Sequence, residues 1–251
     1  MHRLAPIRFI LDHTSHPGNI GAAARAMKVM GLTDLHLVAP DSFPSAEATA
    51  RASSADDVLH RARVHATLDE ALEGCVWVAG TSHRAERVDQ PFFEPREAAV
   101  EALNQPGPVA MVFGCERSGM DNLAMDRCNA LIRIPTGPDY TSLNLAQAIQ
   151  IVAYELHLAG RDGPVEPARP ARMPASAERM AVFFERLEAT LRAIRFSTPG
   201  QDEMLHRRLR RVFMRARPDD DELNMLNGML SRTLTATQRR DADDVETDHR
   251  Q

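Results

Sequence analysis

IRFILDHTSHPGNIGAAARAMKVMGL (residues 7–32) passes from a short apolar run through a polar loop into an Ala- and Met-rich segment. IRFIL (7–11) has strand character. From residue 19 onward Ile20, Ala23, Ala24, Met27 and Met30 share one arc at helical spacing, so the stretch reads strand, loop, helix. A glycine loop opening a helix after a strand is how many proteins hold dinucleotides, but Gly18 and Gly21 do not make G-x-G-x-x-G. Gly21, Arg25 and Lys28 fall together outside the apolar arc, at i, i+4 and i+7. The expectation is that Gly21 leaves open space beside a projecting Arg25, while Asn19 caps a helix whose free N–H groups favour an anion. An ordinary capped helix with two surface cations would show the same spacing.

Working outward, strand-like runs recur at 35–39, 75–80, 108–114 and 130–135, with helical patterns at 19–31, 46–59, 67–73, 94–104, 121–128 and 142–159. Strands apolar on both faces that alternate with helices predict an α/β domain over 1–160, a parallel sheet covered on both sides. Residues 161–176 are Pro-rich and read as a linker. Residues 177–235 hold only helical patterns and form a small helical extension. Residues 236–251, charged and nearly without apolar groups, read as a disordered tail.

The totals narrow the class. No run of eighteen apolar residues occurs among the 251, so nothing in the sequence reads as a membrane span. MHRLAPIRFILDH is too short in apolar residues to read as a secretory signal. Three cysteines beside apolar residues read as reduced thiols of a cytoplasmic protein. A net charge of −5 argues against attraction of nucleic acid by the molecule as a whole, though not by a local patch. Lys28 is the only lysine. A bias toward arginine throughout the chain makes any one Arg-rich stretch weaker evidence for RNA.

Two further loops lie where open α/β sheets bind ligands, beyond the carboxyl ends of strands. In VFGCERSGM (112–120), Gly114 and Gly119 bracket Cys-Glu-Arg-Ser and would let backbone approach a ligand closely. In IPTGPDYTSLNLAQAIQ (134–150) a stiff Pro/Gly loop leads into a long helix, with Thr141 or Ser142 as its cap. That helix has one apolar face and a second carrying Ile151 and Tyr154 among polar groups, a pattern typical of a subunit interface. GTSH (80–83) ends another strand. In LHRRLRRVFMRAR (205–217), Leu205, Leu209, Val212 and Phe213 form a packing face and Arg207, Arg208, Arg211 and Arg215 a basic stripe. That stripe suits tRNA phosphates, or acids nearby in the fold. His13 and His16 lack a second ligand pair and read as loop residues, and Trp77 as core.

N-x-G-x-x-x-R at 19–25, F-G-x-E-R-x-G at 113–119 and I-P…Y-x-S-L-N-L-A at 134–146 together resemble the three motifs of SPOUT RNA 2′-O-methyltransferases, and within them the TrmJ group. GTSHRAERVDQPFFEPREA (80–98) and LRRVFMRARPDDDELNMLNGML (209–230) extend the likeness. Cys115 departs from the usual residue at its position. The resemblance implies a C-terminal trefoil knot, a homodimer, S-adenosylmethionine as cofactor, and methylation of the ribose at position 32 of the tRNA anticodon loop. It implies donor binding at Thr81, Ser82, His83, Gly114, Ile134, Thr141, Ser142 and Leu143. Asn19, Arg25, Glu116, Ser142 and Asn144 would line the reaction side, with Arg25 and Lys28 toward RNA.

Methyl transfer from a sulfonium needs alignment and loss of a proton, and no metal. Arginine stays protonated, so Arg25 reads as a charge that organises phosphate and developing alkoxide, with the proton acceptor left open. Ribosomal RNA or another tRNA position as substrate, and an RNA-binding protein without catalysis, are the alternatives.

Overall fold

The structure is a computed structural model that describes residues 7–82, 90–139, 141–161, 173–196 and 202–248. The five expected strands form as β1 (Ile7–Asp12), β2 (Asp34–Val38), β4 (Trp77–Thr81), β6 (Val109–Phe113) and β7 (Ala130–Ile132). Two short edge strands, β3 (Arg63–His65) and β5 (Phe92–Phe93), complete a seven-stranded sheet in the order β3-β2-β1-β6-β4-β7-β5, with every pairing parallel. Alternate residues of each central strand feed opposite cores. Phe9 and Leu11 of β1 and Met111 and Phe113 of β6 join one, Ile10 and Val112 the other. Burial on both faces is why these strands are predominantly apolar. Trp77 lies in the first core.

On the first face lie α1 (Pro17–Val29), α2 (Ala46–Ala52), α3 (Asp56–Arg61), α5 (Pro95–Leu103) and α7 (Leu145–Arg161), and on the second α4 (Leu68–Leu72) and α6 (Asn122–Asp126). The single helix expected over 46–59 is two, because Ser53 turns the chain with a left-handed φ of 56°. The arc of Ile20, Ala23, Ala24 and Met27 is buried as expected. Gly21 is not. A Cβ there would stand 2.0 Å from the carbonyl oxygen of Ala48 and 2.9 Å from the nitrogen of Ala52. The glycine therefore leaves no open space beside Arg25 and instead lets the backbone of α2 cross α1 at close range. Asn19 is not the cap either. His16 holds that position, without a side-chain bond, and Pro17 opens the helix. On α7 the cap is Asn144 rather than Thr141 or Ser142, since its Oδ1 accepts from Ala146 N at 2.9 Å.

The C-terminal region folds on a core of its own, built from α8 (Ala177–Ala193), α9 (Asp202–Ala216) and α10 (Asp220–Asp248), with Phe183, Phe184, Met214 and Leu223 at its centre. α10 continues through 236–248, which the sequence reading left as a disordered tail. No Gly or Pro follows Gly228 to stop it, and Ala, Gln, Arg and Glu are good helix formers. Most of the Pro-rich linker lies outside the described residues, but its end is docked: Ala175 N donates to Pro218 O at 2.8 Å and Ala177 N to Cys75 O at 2.9 Å. The trefoil knot implied by the resemblance stays an expectation, and residues 83–89, between β4 and β5, lie outside the described residues. Among the described residues no helix is long and apolar enough to cross a membrane.

Candidate functional site

At the carboxyl ends of β4, β6 and β7 the loops enclose a cavity of about 380 Å³. Thr81, Ser82, Gly114, Ile134, Thr141, Ser142 and Leu143 all line it. These are the expected donor positions except His83, which lies outside the described residues. The loop after β6 doubles back on itself, Gly119 N donating to Cys115 O at 2.8 Å. A Cβ on Gly114 would stand 2.2 Å from Met120 N, so only glycine permits this turn. Gly119 has a left-handed φ of 67° and open space where a Cβ would be, leaving its backbone clear at the cavity wall. Cys115, half-buried, also lines the wall. The other two thiols are buried, which pushes Cys75 up to about 11 and Cys128 higher still.

A chain of hydrogen bonds ties the three motifs together. Glu116 accepts from Ser15 N at 3.1 Å and Ser15 Oγ at 3.0 Å on one oxygen, and from His16 N at 3.4 Å and Asn19 Nδ2 at 2.8 Å on the other. Asn19 Oδ1 in turn accepts from Asn144 Nδ2 at 3.0 Å, and Asn144 caps α7. Glu116 thus closes the amino end of α1, where the helix dipole also favours its charge. Burial works against that charge, but the bonds from Asn19 and Ser15 outweigh it and hold the carboxyl below the usual glutamate range. A carboxylate so engaged positions its neighbours and is a poor base.

Of the residues expected on the reaction side, Asn19, Glu116 and Asn144 form this chain and Ser142 lines the cavity. Arg25 does neither. It lines a separate open groove with Ala22, Val29, Leu143, Gln147 and Ile151, between α1 and α7. Leu143 alone borders both spaces. Among the described residues nothing pairs with Arg25. Lys28, expected toward RNA, is exposed, with its Nζ held at 2.6 Å by both Asp57 Oδ1 and Ser54 O. Arg207 follows the other reading of the stripe, pairing with an acid nearby in the fold. Its Nε lies 2.6 Å from Asp126 Oδ2, whose side chain is 3% exposed, so it pins α9 to the sheet domain. The packing face of α9 accordingly runs through Arg207, Arg210 over the ring of Phe184, and Phe213, while Val212, expected inside, is 47% exposed. Arg208 and Arg215 remain on the outer face and Arg211 is half-buried.

The cavity's size and lining suit a nucleoside-sized donor. Ile132, Ile134 and Leu143 offer apolar surface to a flat ring, and the hydroxyls of Thr81 and Ser142 and the open backbone at Gly119 offer polar contacts. Among the described residues no group of three His, Cys, Asp or Glu side chains is placed to hold a metal. Sequence reasoning missed Met120 and Ile132 in the lining, since an apolar side chain before a helix or at a strand end looks like any core residue.

Comparison with known proteins agrees with this geometry. The SpoU rRNA Methylase family matches residues 6–154, and the tRNA methyltransferase TrmJ C-terminal domain matches 178–243. A tRNA (cytidine/uridine/adenosine-2′-O-)-methyltransferase TrmJ of Pseudomonas aeruginosa is 43% identical, over 90% of this chain and 93% of that one. A tRNA (cytidine/uridine-2′-O-)-methyltransferase TrmJ of Klebsiella pneumoniae is 44% identical, over 91% and 96%. The crystal structure of TrmJ from Z. mobilis superposes with a TM-score of 0.81 at 35% identity, covering 89% of this chain and 97% of that one.

Proposed function

The chain belongs to the SpoU rRNA methylase family and carries a TrmJ-type C-terminal domain, and from that premise we propose that it methylates a ribose 2′-hydroxyl of tRNA with S-adenosylmethionine as donor. The observation that carries the reading is the convergence of three separate motifs on one cavity, joined through Glu116, Asn19 and Asn144. Position 32 of the anticodon loop is the target implied by the TrmJ resemblance. The reaction belongs in the cytoplasm with its substrate.

The donor supplies a methyl group already activated on sulfur, so no metal is called for. Thr81, Ser142 and the 114–120 backbone hold and orient it, Ile134 and Leu143 exclude water, and Glu116 fixes the loops against one another. Arg25 organises charge at the ribose and its neighbouring phosphate. Its place in the outer groove gives it the cavity of a second copy to serve, in a homodimer joined through α1 and α7. That face leaves Val29 66% and Tyr154 47% exposed beside Ile151. Arg208 and Arg215 on the outer face of α9, with half-buried Arg211 between them, contact tRNA phosphates. Mapping ribose methylation in RNA from a deletion strain, with and without the restored gene, tests the assignment. Loss confined to tRNA position 32 is expected. Loss in ribosomal RNA or at another tRNA position would replace the target.

A further inference from the structure

We propose that Arg51 is a second phosphate-binding residue beside Arg25, contacting the RNA strand where the Arg25 groove meets the motif loops. The inference rests on the tRNA reading above and adds a residue that lies in none of the three motifs.

Arg51 sits in the last turn of α2 and is exposed. It lines the groove that holds Arg25, and also the adjoining depression lined by His16, Asn19 and Asn144. It therefore stands where the Arg25 groove meets the hydrogen-bonded chain leading to Glu116. The backbone that carries it is fixed at the crossing of α1 and α2. The neighbouring residues Ala48 and Ala52 are those whose backbone closes on Gly21 of α1, and the Arg51 stem lies 3.6 Å from the Cβ position of Gly18. Arg25 and Arg51 are thus carried by two helices locked at their crossing.

Charge sharpens the point. The chain has 35 acidic residues against 30 basic ones, yet among the described residues no carboxylate pairs with Arg25 or with Arg51. Lys28, Arg96, Arg127, Arg179 and Arg207 all have acidic partners. Glu47, one turn before Arg51, borders the same depression but lies against Gly18 and forms no ion pair with Arg51. Two unpartnered guanidinium groups around one groove in an acidic protein match a ligand that brings its own negative charges. The planar fork of each suits a phosphate taken by two hydrogen bonds.

The test compares full-length wild type with Arg51→Gln and Arg51→Lys. tRNA binding is measured across a salt series, donor binding by calorimetry, mass by light scattering, and methylation in single turnover at subsaturating tRNA. Arg51→Gln should weaken tRNA binding about tenfold at low salt and reduce the salt slope by about one. Arg51→Lys should keep most of the slope. Donor affinity and mass should hold, while methylation at subsaturating tRNA should fall in step with binding. A wild-type slope in Arg51→Gln overturns the proposal, as does a fall in mass, which would place Arg51 in the subunit contact. A wild-type protein that binds no tRNA overturns the functional reading itself, and the proposal with it.

Discussion

Replacing Glu116 with Gln keeps its shape and removes half of what its carboxylate does. The carboxylate accepts four hydrogen bonds, two on each oxygen. A glutamine can turn its oxygen to Ser15 or to Asn19 and His16, and its NH2 then faces two donors. Bonds to a charged acceptor contribute about 1.5–3 kcal/mol each, so losing two would cost about 3–6 kcal/mol in a dry site. Glu116 is half-exposed, water replaces part of that loss, and about 2 kcal/mol is the expected net cost. For a domain of this size that lowers the melting temperature by roughly 4–8 °C. The rate should suffer more than stability, because Asn19 would lose its anchor and with it the hold on Asn144 and on the segment carrying Ser142. Donor binding by calorimetry should fall a few-fold, and single-turnover methylation about a hundredfold, as for loss of one preorganised contact. The pH dependence follows from the same bonds. With its folded pKa below the ordinary 4.5, Glu116 contributes its full stabilisation above that value and loses it as pH falls through the folded pKa. Wild type and variant should therefore converge in melting temperature at acid pH. A variant that melts and methylates like wild type at neutral pH refutes the positioning role.

Gly21→Ala forces α1 and α2 apart and should cost about 2 kcal/mol or more, read by denaturant unfolding; an unchanged midpoint would mean the crossing is looser than described. Arg207→Ala strands the buried Asp126 carboxylate, an effect of about 3–5 kcal/mol, so limited proteolysis should release the C-terminal helices while donor binding persists. Weaker tRNA binding with no change in proteolysis would restore Arg207 to the RNA surface. Arg25→Ala should bind donor normally and methylate about a hundredfold more slowly. Mixed with Glu116→Gln, it should recover roughly a quarter of wild-type activity through hybrid dimers that keep one intact site. No recovery on mixing means Arg25 serves its own subunit or none.

The five central strands were legible because burial on both faces leaves an apolar run, whereas Arg63–His65 and Phe92–Phe93 pair on one side only and carry too few apolar residues to show it. Helical spacing placed Arg25 outside the core, and seven of the eight positions that the resemblance implies for the donor line the cavity. Spacing cannot tell what approaches from elsewhere. The backbone that closes on Gly21 lies 27 residues away at Ala48, the acid that takes Lys28 is on α3, and the one that takes Arg207 is 81 residues back on α6. None of these partners could be assigned from spacing within one helix. Arg51 carried no signal, because its position depends on the crossing of two helices.

The bonds from Ser15 and Asn19 to Glu116 and from Asn144 to Asn19 span 101, 97 and 125 residues of sequence. A ribosome adding 5–20 residues each second takes roughly 6–25 s to go from Asn19 to Asn144. During that interval α1 exists without the carboxylate that closes its amino end, and the cavity has no third wall. Such long-range contacts also close slowly once the chain is complete. A nascent or truncated chain therefore carries Arg25 and Arg51 without the means to use them, and cannot hold either substrate or donor in place before its synthesis has passed α7.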